Sequence, residues 1–146
     1  MEKKLIILSE WKGKTEFQKL KSNVENHIDE VSSFHYLLCL KNAKMIEEVP
    51  KIPSVDYYTK KDFSLFGKVK NPTLKDLLTE EGNSILVVAV ETPFSLLNKT
   101  IKNSKLMSIG IEMEILPKFD LSFKDSKLEQ GNFFKQINNY LTKIQL

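Results

Sequence analysis

Ile85-Leu86-Val87-Val88-Ala89-Val90 is the segment that most constrains what this chain can fold into. Successive side chains of a strand point to opposite faces, and here both faces are apolar along the whole run. The run is too short for an independent helix, and its valines and isoleucine favour extended backbone. A strand that is apolar on both faces belongs inside a sheet covered by helices on both sides. Leu5-Ile6-Ile7-Leu8 is a shorter run of the same kind.

Helical spacing separates these runs. Thr15 reads as an N-cap with Gln18 completing a capping box, and Phe17, Leu20, Val24, Ile28 and Val31 then form one apolar stripe. Residues 34–40 read as a second strand. Residues 41–72 read as loop, punctuated by Pro50, Pro53, Gly67 and Pro72, with a short extended piece over 55–59. Asn71-Pro72 pairs a capping residue with a proline suited to a first helical turn. Leu74, Leu77 and Leu78 give that helix its apolar face, and Gly82 ends it. Thr92-Pro93 reads as another helix start, with Phe94, Leu97 and Ile101 turned inward. Residues 106–115 alternate, Met107, Ile109, Ile111, Met113 and Ile115 against Ser108, Gly110, Glu112 and Glu114, as a half-exposed strand does. Phe119, Leu121 and Phe123 alternate with Asp120 and Ser122. Ser126 and Glu129 form a capping box ahead of a last helix with the stripe Phe134, Ile137, Leu141 and Ile144.

Strands alternating with helices specify an α/β sheet with right-handed crossovers. The expected fold is a single domain over residues 1–146. It is a mixed, mostly parallel sheet of about five strands with helices on both faces, a Rossmann-like three-layer arrangement. Residues 85–90 should lie near its centre. The short Leu116-Pro117-Lys118 link predicts that the last two strands are antiparallel.

The chain's 146 residues suffice to bury a core without disulfides or metal. A composition of 41% hydrophobic and 28% charged residues excludes disordered, collagenous and coiled-coil classes. The single cysteine, Cys39, excludes an internal disulfide and a CxxC pair. With only His27 and His35 besides, neither a metal site nor a cofactor is expected. Met1-Glu2-Lys3-Lys4 leads into only four apolar residues, too few for a secretory h-region. No run approaches the ~18 apolar residues of a membrane span. The expected location is therefore reducing and cytoplasmic. All 22 basic residues are lysine. Without arginine the chain lacks the commonest reader of guanine edges, so specific DNA readout is not expected.

Asp62-Phe63-Ser64-Leu65-Phe66-Gly67-Lys68-Val69-Lys70-Asn71 resembles the D-x-x-x-F-G-K-x-K segment of an uncharacterised domain family found in Bacteroidota. The later pieces agree in order: the apolar strand at 85–90, Ser104-Lys105-Leu106-Met107-Ser108-Ile109-Gly110, Phe119-Asp120-Leu121, and Asn139-Tyr140-Leu141-Thr142-Lys143-Ile144. Val69 departs from the pattern, which has proline there, and Asn83-Ser84 replaces Phe-Asp. The resemblance covers residues 55–146 well and the first strand and helix loosely. It implies a cytoplasmic α/β protein and assigns no catalytic residue.

The formal charge is +3, and the excess sits in one segment. Residues 1–50 balance eight lysines with eight acids, residues 51–75 carry six lysines against two aspartates, and residues 76–146 have eight lysines and nine acids. Tyr57, Tyr58, Phe63 and Phe66 interleave with Lys60, Lys61, Lys68 and Lys70 there. Lysines neutralise phosphates while aromatics stack on bases. Lys60, Lys61, Phe66, Gly67, Lys68 and Lys70 are therefore the leading binding residues, for RNA, a ribonucleoprotein or a protein partner. A structural loop with core-plugging aromatics and solvated lysines is the plainer account of the same residues. Lys99, Lys102 and Lys105, three apart on a helix face, would extend the patch if they lay beside it.

Ligands of open α/β sheets sit beyond the carboxyl ends of the strands, here residues 9–15, 41–44 and 91–92. Gly13-Lys14-Thr15 places a lysine and a hydroxyl at a strand-to-helix turn as a phosphate loop does. Glu91 follows the central strand, where an acid could serve a bound metal–nucleotide. Lys14, Thr15 and Glu91 thus form an alternative phosphate site. Against it, Leu8 stands where such a loop needs its first glycine, and Glu10 and Trp11 occupy the turn. No G-x-G-x-x-G occurs. Nucleophile–base pairs are poor: Cys39 lies in an apolar run, His35 has no acid close in sequence, and His27 sits on a helix flank. Glu47-Glu48 and Glu80-Glu81 are adjacent and do not converge. Trp11 either covers the sheet edge or stands exposed as an anchor. The expected function is a non-catalytic binding or assembly factor. The alternatives are a small nucleotide- or phosphate-binding enzyme and an oligomerising structural subunit with residues 119–123 as an uncovered edge strand.

Overall fold

In the computed structural model, which describes residues 3–80, 84–90, 92–113, 119–124 and 131–143, the apolar run at 85–90 forms β4 (Ser84–Val88) in the middle of one sheet. The other strands are β1 (Lys4–Glu10), β2 (Ser33–Cys39), β3 (Val55–Tyr58), β5 (Met107–Ile111) and β6 (Leu121–Phe123). Among the described residues the sheet has six strands rather than five, in the order β3-β2-β1-β4-β5-β6. Every pairing between them is parallel. This is the strand order of doubly wound Rossmann sheets.

Strand alternation sorts the side chains into two cores. Leu5, Ile7, Ile85, Val87 and Ile109 face α1 (Lys14–His27) and α4 (Asn132–Lys143), meeting Phe17, Val24, Phe133, Phe134 and Ile137. Ile6, Leu8, Leu86 and Val88 face α2 (Pro72–Thr79) and α3 (Leu97–Lys102), meeting Leu74, Leu77, Leu78 and Leu97. Asn71 caps α2 as its type suggests, accepting from the Thr73 and Leu74 amides.

Two helix starts differ from expectation. Gly13, at φ 101°, is the N-cap of α1, which makes Thr15 a helical residue rather than a cap. The left-handed turn available to glycine ends the loop early. Thr92-Pro93 leads into a turn, and α3 begins only at Leu97. Gly82, the Leu116-Pro117-Lys118 link, Ser126, Glu129 and Ile144 lie outside the described residues.

The last two strands are parallel, not antiparallel: Ile109 pairs with Leu121, Gly110 with Ser122 and Ile111 with Phe123. β5 stops at Ile111, before the sequence alternation does, and β6 begins only at Leu121. The expected exposed face of β5 is covered as well. Ser108 is buried, and the Phe119 ring packs directly against Gly110. Asp120 locks the register, its Oδ2 accepting from the Ser108 amide at 2.8 Å while its own amide donates to Ser108 Oγ at 3.1 Å. A Cβ built on Gly110 would stand 2.5 Å from the Phe119 ring, so Gly110→Ala is expected to destabilise the fold by about 1–3 kcal/mol through overpacking. Chemical denaturation checks this, and a Gly110→Ala, Phe119→Leu double variant should recover part of the loss.

Candidate functional site

Between β1 and β4 the chain's connections leave toward opposite faces of the sheet. A crevice of about 1170 Å³ opens there, where doubly wound sheets bind ligands. Ser9, Glu10, Trp11, Lys14, Thr15, Val90 and Thr92 line it. Lys14 and Thr15 therefore do reach a common crevice, both exposed, while Glu91 lies outside the described residues. The connection from Glu10 to Lys14 consists only of Trp11, Lys12 and Gly13. Trp11 turns inward. Its amide donates to the Cys39 carbonyl at 2.9 Å, and its buried indole meets the Tyr57 ring edge-on at 5.4 Å. It covers the sheet edge at β3. A turn this short, flanked by the Glu10 and Glu16 carboxylates, cannot wrap a pyrophosphate in backbone amides.

The basic segment folds against the opposite face of the sheet. Thr59 and Asp62 form a reciprocal capping box around the short helical turn Lys60–Asp62. The second carboxylate oxygen of Asp62 accepts from Asn71 Nδ2 at 2.9 Å, so this carboxylate is taken up by capping. Phe63 and Val69 then bridge as an antiparallel pair. The Ser64 amide donates to the Lys68 carbonyl at 2.7 Å, and the Gly67 amide donates to the Ser64 carbonyl at 3.0 Å. Leu65, Phe66 and Gly67 are the loop of this small hairpin. Gly67, at φ 78°, supplies the left-handed residue that closes three-residue hairpin loops.

α3 holds the hairpin at two points. Asn103, just beyond α3, donates from Nδ2 to the Gly67 carbonyl at 2.8 Å and accepts the Val69 amide at 3.3 Å. At the base, the buried Tyr58 hydroxyl donates to Thr100 Oγ1 at 2.7 Å, since the Thr100 proton is already given to the Leu96 carbonyl.

The four aromatics of the segment separate. Tyr58 and Phe63 are buried, and Tyr57 is half-buried with its hydroxyl on the Pro50 carbonyl. Phe66 alone projects, 93% exposed, beside Leu65 at 101%. Lys60, Lys61, Lys68 and Lys70 are exposed. So are Lys99, Lys102 and Lys105, and the Lys99 stem reaches Gly67. Lys99 and Lys102 on α3 thus adjoin the patch, whereas Lys105 lies beyond the helix end, its amide donating to the Leu78 carbonyl at 2.8 Å. The signal for the projecting tip was present in the sequence, since Ser64 and Gly67 are the residue types favoured at the first and fourth positions of a type I turn.

The sequence matches DUF6913, a family of unknown function, over residues 2–144. The chain belongs to this family. No curated protein and no solved structure matches it. The DUF6913 match spans both the crevice and the hairpin.

Elsewhere in this DUF6913 chain, His35 does have an acidic partner, contrary to the sequence reading. Its Nε2 lies 2.7 Å from Asp56 Oδ2 across the β2–β3 pair. Strand pairing joins them over a sequence gap that local reading does not bridge. Among the described residues no hydroxyl or thiol hydrogen-bonds to the pair, and no three His, Cys, Asp or Glu side chains gather as metal ligands. His27 packs against Gly131 at the start of α4. Cys39 is a buried free thiol, pushed up to about 12 by burial. At mildly alkaline pH it is expected to resist iodoacetamide in the native protein and to react fully in denaturant. Rapid native alkylation would contradict the burial. Asn103→Ala should cost about 1–2 kcal/mol in denaturant melts. It should also speed hydrogen exchange at the Val69 amide while β4 stays protected.

Proposed function

We propose that this DUF6913 protein is a non-catalytic binding or assembly factor that engages an anionic surface through the hairpin and the adjoining face of α3. One observation carries the reading. Lys60, Lys61, Lys68, Lys70, Lys99 and Lys102 stand exposed around a fixed loop, and among the described residues none has an ion-pair partner. Asp62, the acid that lies among them in sequence, is turned into a cap. Uncompensated like charges gathered on one surface raise the local potential and steer an anionic partner toward it. RNA, a ribonucleoprotein and an acidic protein surface are the partner classes of this reading. Lysine contacts without arginine give salt-sensitive binding with little sequence choice.

A second reading, a small nucleotide- or phosphate-binding enzyme using Lys14, Thr15 and Glu91, is favoured by the position of the crevice. Trp11 and the short turn weigh against it. Immobilised heparin separates the two as a polyanion probe. Lys68→Glu with Lys70→Glu should elute at clearly lower salt than the unchanged chain, and Lys14→Gln with Thr15→Ala should elute with it. The reverse order of elution would favour the crevice.

A further inference from the structure

We infer that the Leu65–Phe66 tip inserts into an anionic lipid surface while the lysines around it sit among the headgroups. The inference rests on the proposed reading of the lysine patch as a contact surface. Leu65 and Phe66 are nearly or wholly exposed, and Ile46 is the other large hydrophobic exposed among the described residues, at 49%. They are held outward. The hairpin's own hydrogen bonds fix the turn, and Asn103 fixes the turn to α3. Such a pair of apolar side chains stays in water at a standing cost unless something covers it.

The surroundings select the cover. A nucleic acid would use stacked rings, yet Tyr58 and Phe63 are buried, Tyr57 is half-buried, and Leu65 has no π face. A protein interface of standard size needs far more surface than two side chains on a convex turn, and such interfaces are poor in lysine. A bilayer needs no matching pocket. Long lysine stems can lie along the apolar boundary with their ammonium groups in water. Each lysine near an anionic leaflet strengthens partition by about fivefold. Shallow apolar insertion and basic attraction then act as two signals, each too weak alone. Shallow insertion of this kind is peripheral and reversible.

The test is sedimentation of the full chain with vesicles of phosphatidylcholine alone and with roughly one-third phosphatidylglycerol, near ~0.1 M salt. Binding should require phosphatidylglycerol. Leu65→Ser with Phe66→Ser should weaken it by about tenfold or more. The tip is exposed, so the thermal midpoint should not move, and Phe66→Trp should shift its emission to the blue on vesicles that bind. If the serine variant binds as the parent does while Lys68→Glu with Lys70→Glu does not, insertion is overturned and the lysine surface stands. If poly(U) RNA is bound and anionic vesicles are not, insertion again falls and the contact surface survives with a different partner. If vesicles, RNA and heparin are all ignored at low salt, both readings fall.

Discussion

Everything in this fold depends on β4 being apolar on both faces. Leu86, Val87 and Val88 are essentially without solvent exposure, and each face of the strand must meet its own helix layer. α1 and α4 cannot shield Leu86 and Val88, and α2 and α3 cannot shield Val87. The chain must therefore cross from one side of the sheet to the other, and right-handed parallel connections do this by winding one half outward from β1 and the other from β4. The crevice between them follows from that winding rather than from any residue that lines it. Its presence is a property of the topology, and what it can bind depends on the turn that fills it.

That turn is filled by Trp11. Its indole closes against Tyr57 and Phe17 at the edge made by β3, a strand of four residues that gives the first core little cover of its own. A longer glycine-rich turn would have left this corner open and the backbone amides free for phosphate. Here the same position contributes to the core. The hairpin at 60–70 shows the opposite use of apolar side chains. It buries Phe63, pins its base through Tyr58 and Thr100, and leaves Leu65 and Phe66 in water. Hydrogen bonds can hold a turn whose tip has no packing of its own, which is why the two exposed residues keep a defined direction.

The element order from the first strand to the last helix was legible because each element repeats one period clearly. The stripe from Phe17 to Val31 and the run at 85–90 leave no competing assignment of type, although α1 ends at His27, before Ile28 and Val31. The errors arose where a local pattern outlasted the element it described. Alternation continues past Ile111, but β5 does not, because Phe119 comes back over Gly110 and Asp120 takes the Ser108 amide. A contact between residues twelve apart decides parallel against antiparallel, and the period of the strand carries no trace of it. The site was half legible for the same reason. Charge is additive along a sequence, so the basic segment could be located by counting. Burial is not additive, so Tyr57, Tyr58 and Phe63 looked equivalent to Phe66 until the sheet took them in.

The two candidate sites also differ in how they relate to the fold. The crevice lies on the α1 side, where the topology places a ligand, yet Trp11 in its turn serves the core. The hairpin lies on α3, where the topology demands nothing. It nevertheless receives a capping box, a glycine in a left-handed conformation, an asparagine bridging two backbone groups and exposed lysines that have no ion-pair partner among the described residues. Stability alone does not call for two exposed apolar side chains and these charges at a loop tip. Local structure beyond what the connection requires is the physical reason to look for function at the hairpin before the crevice.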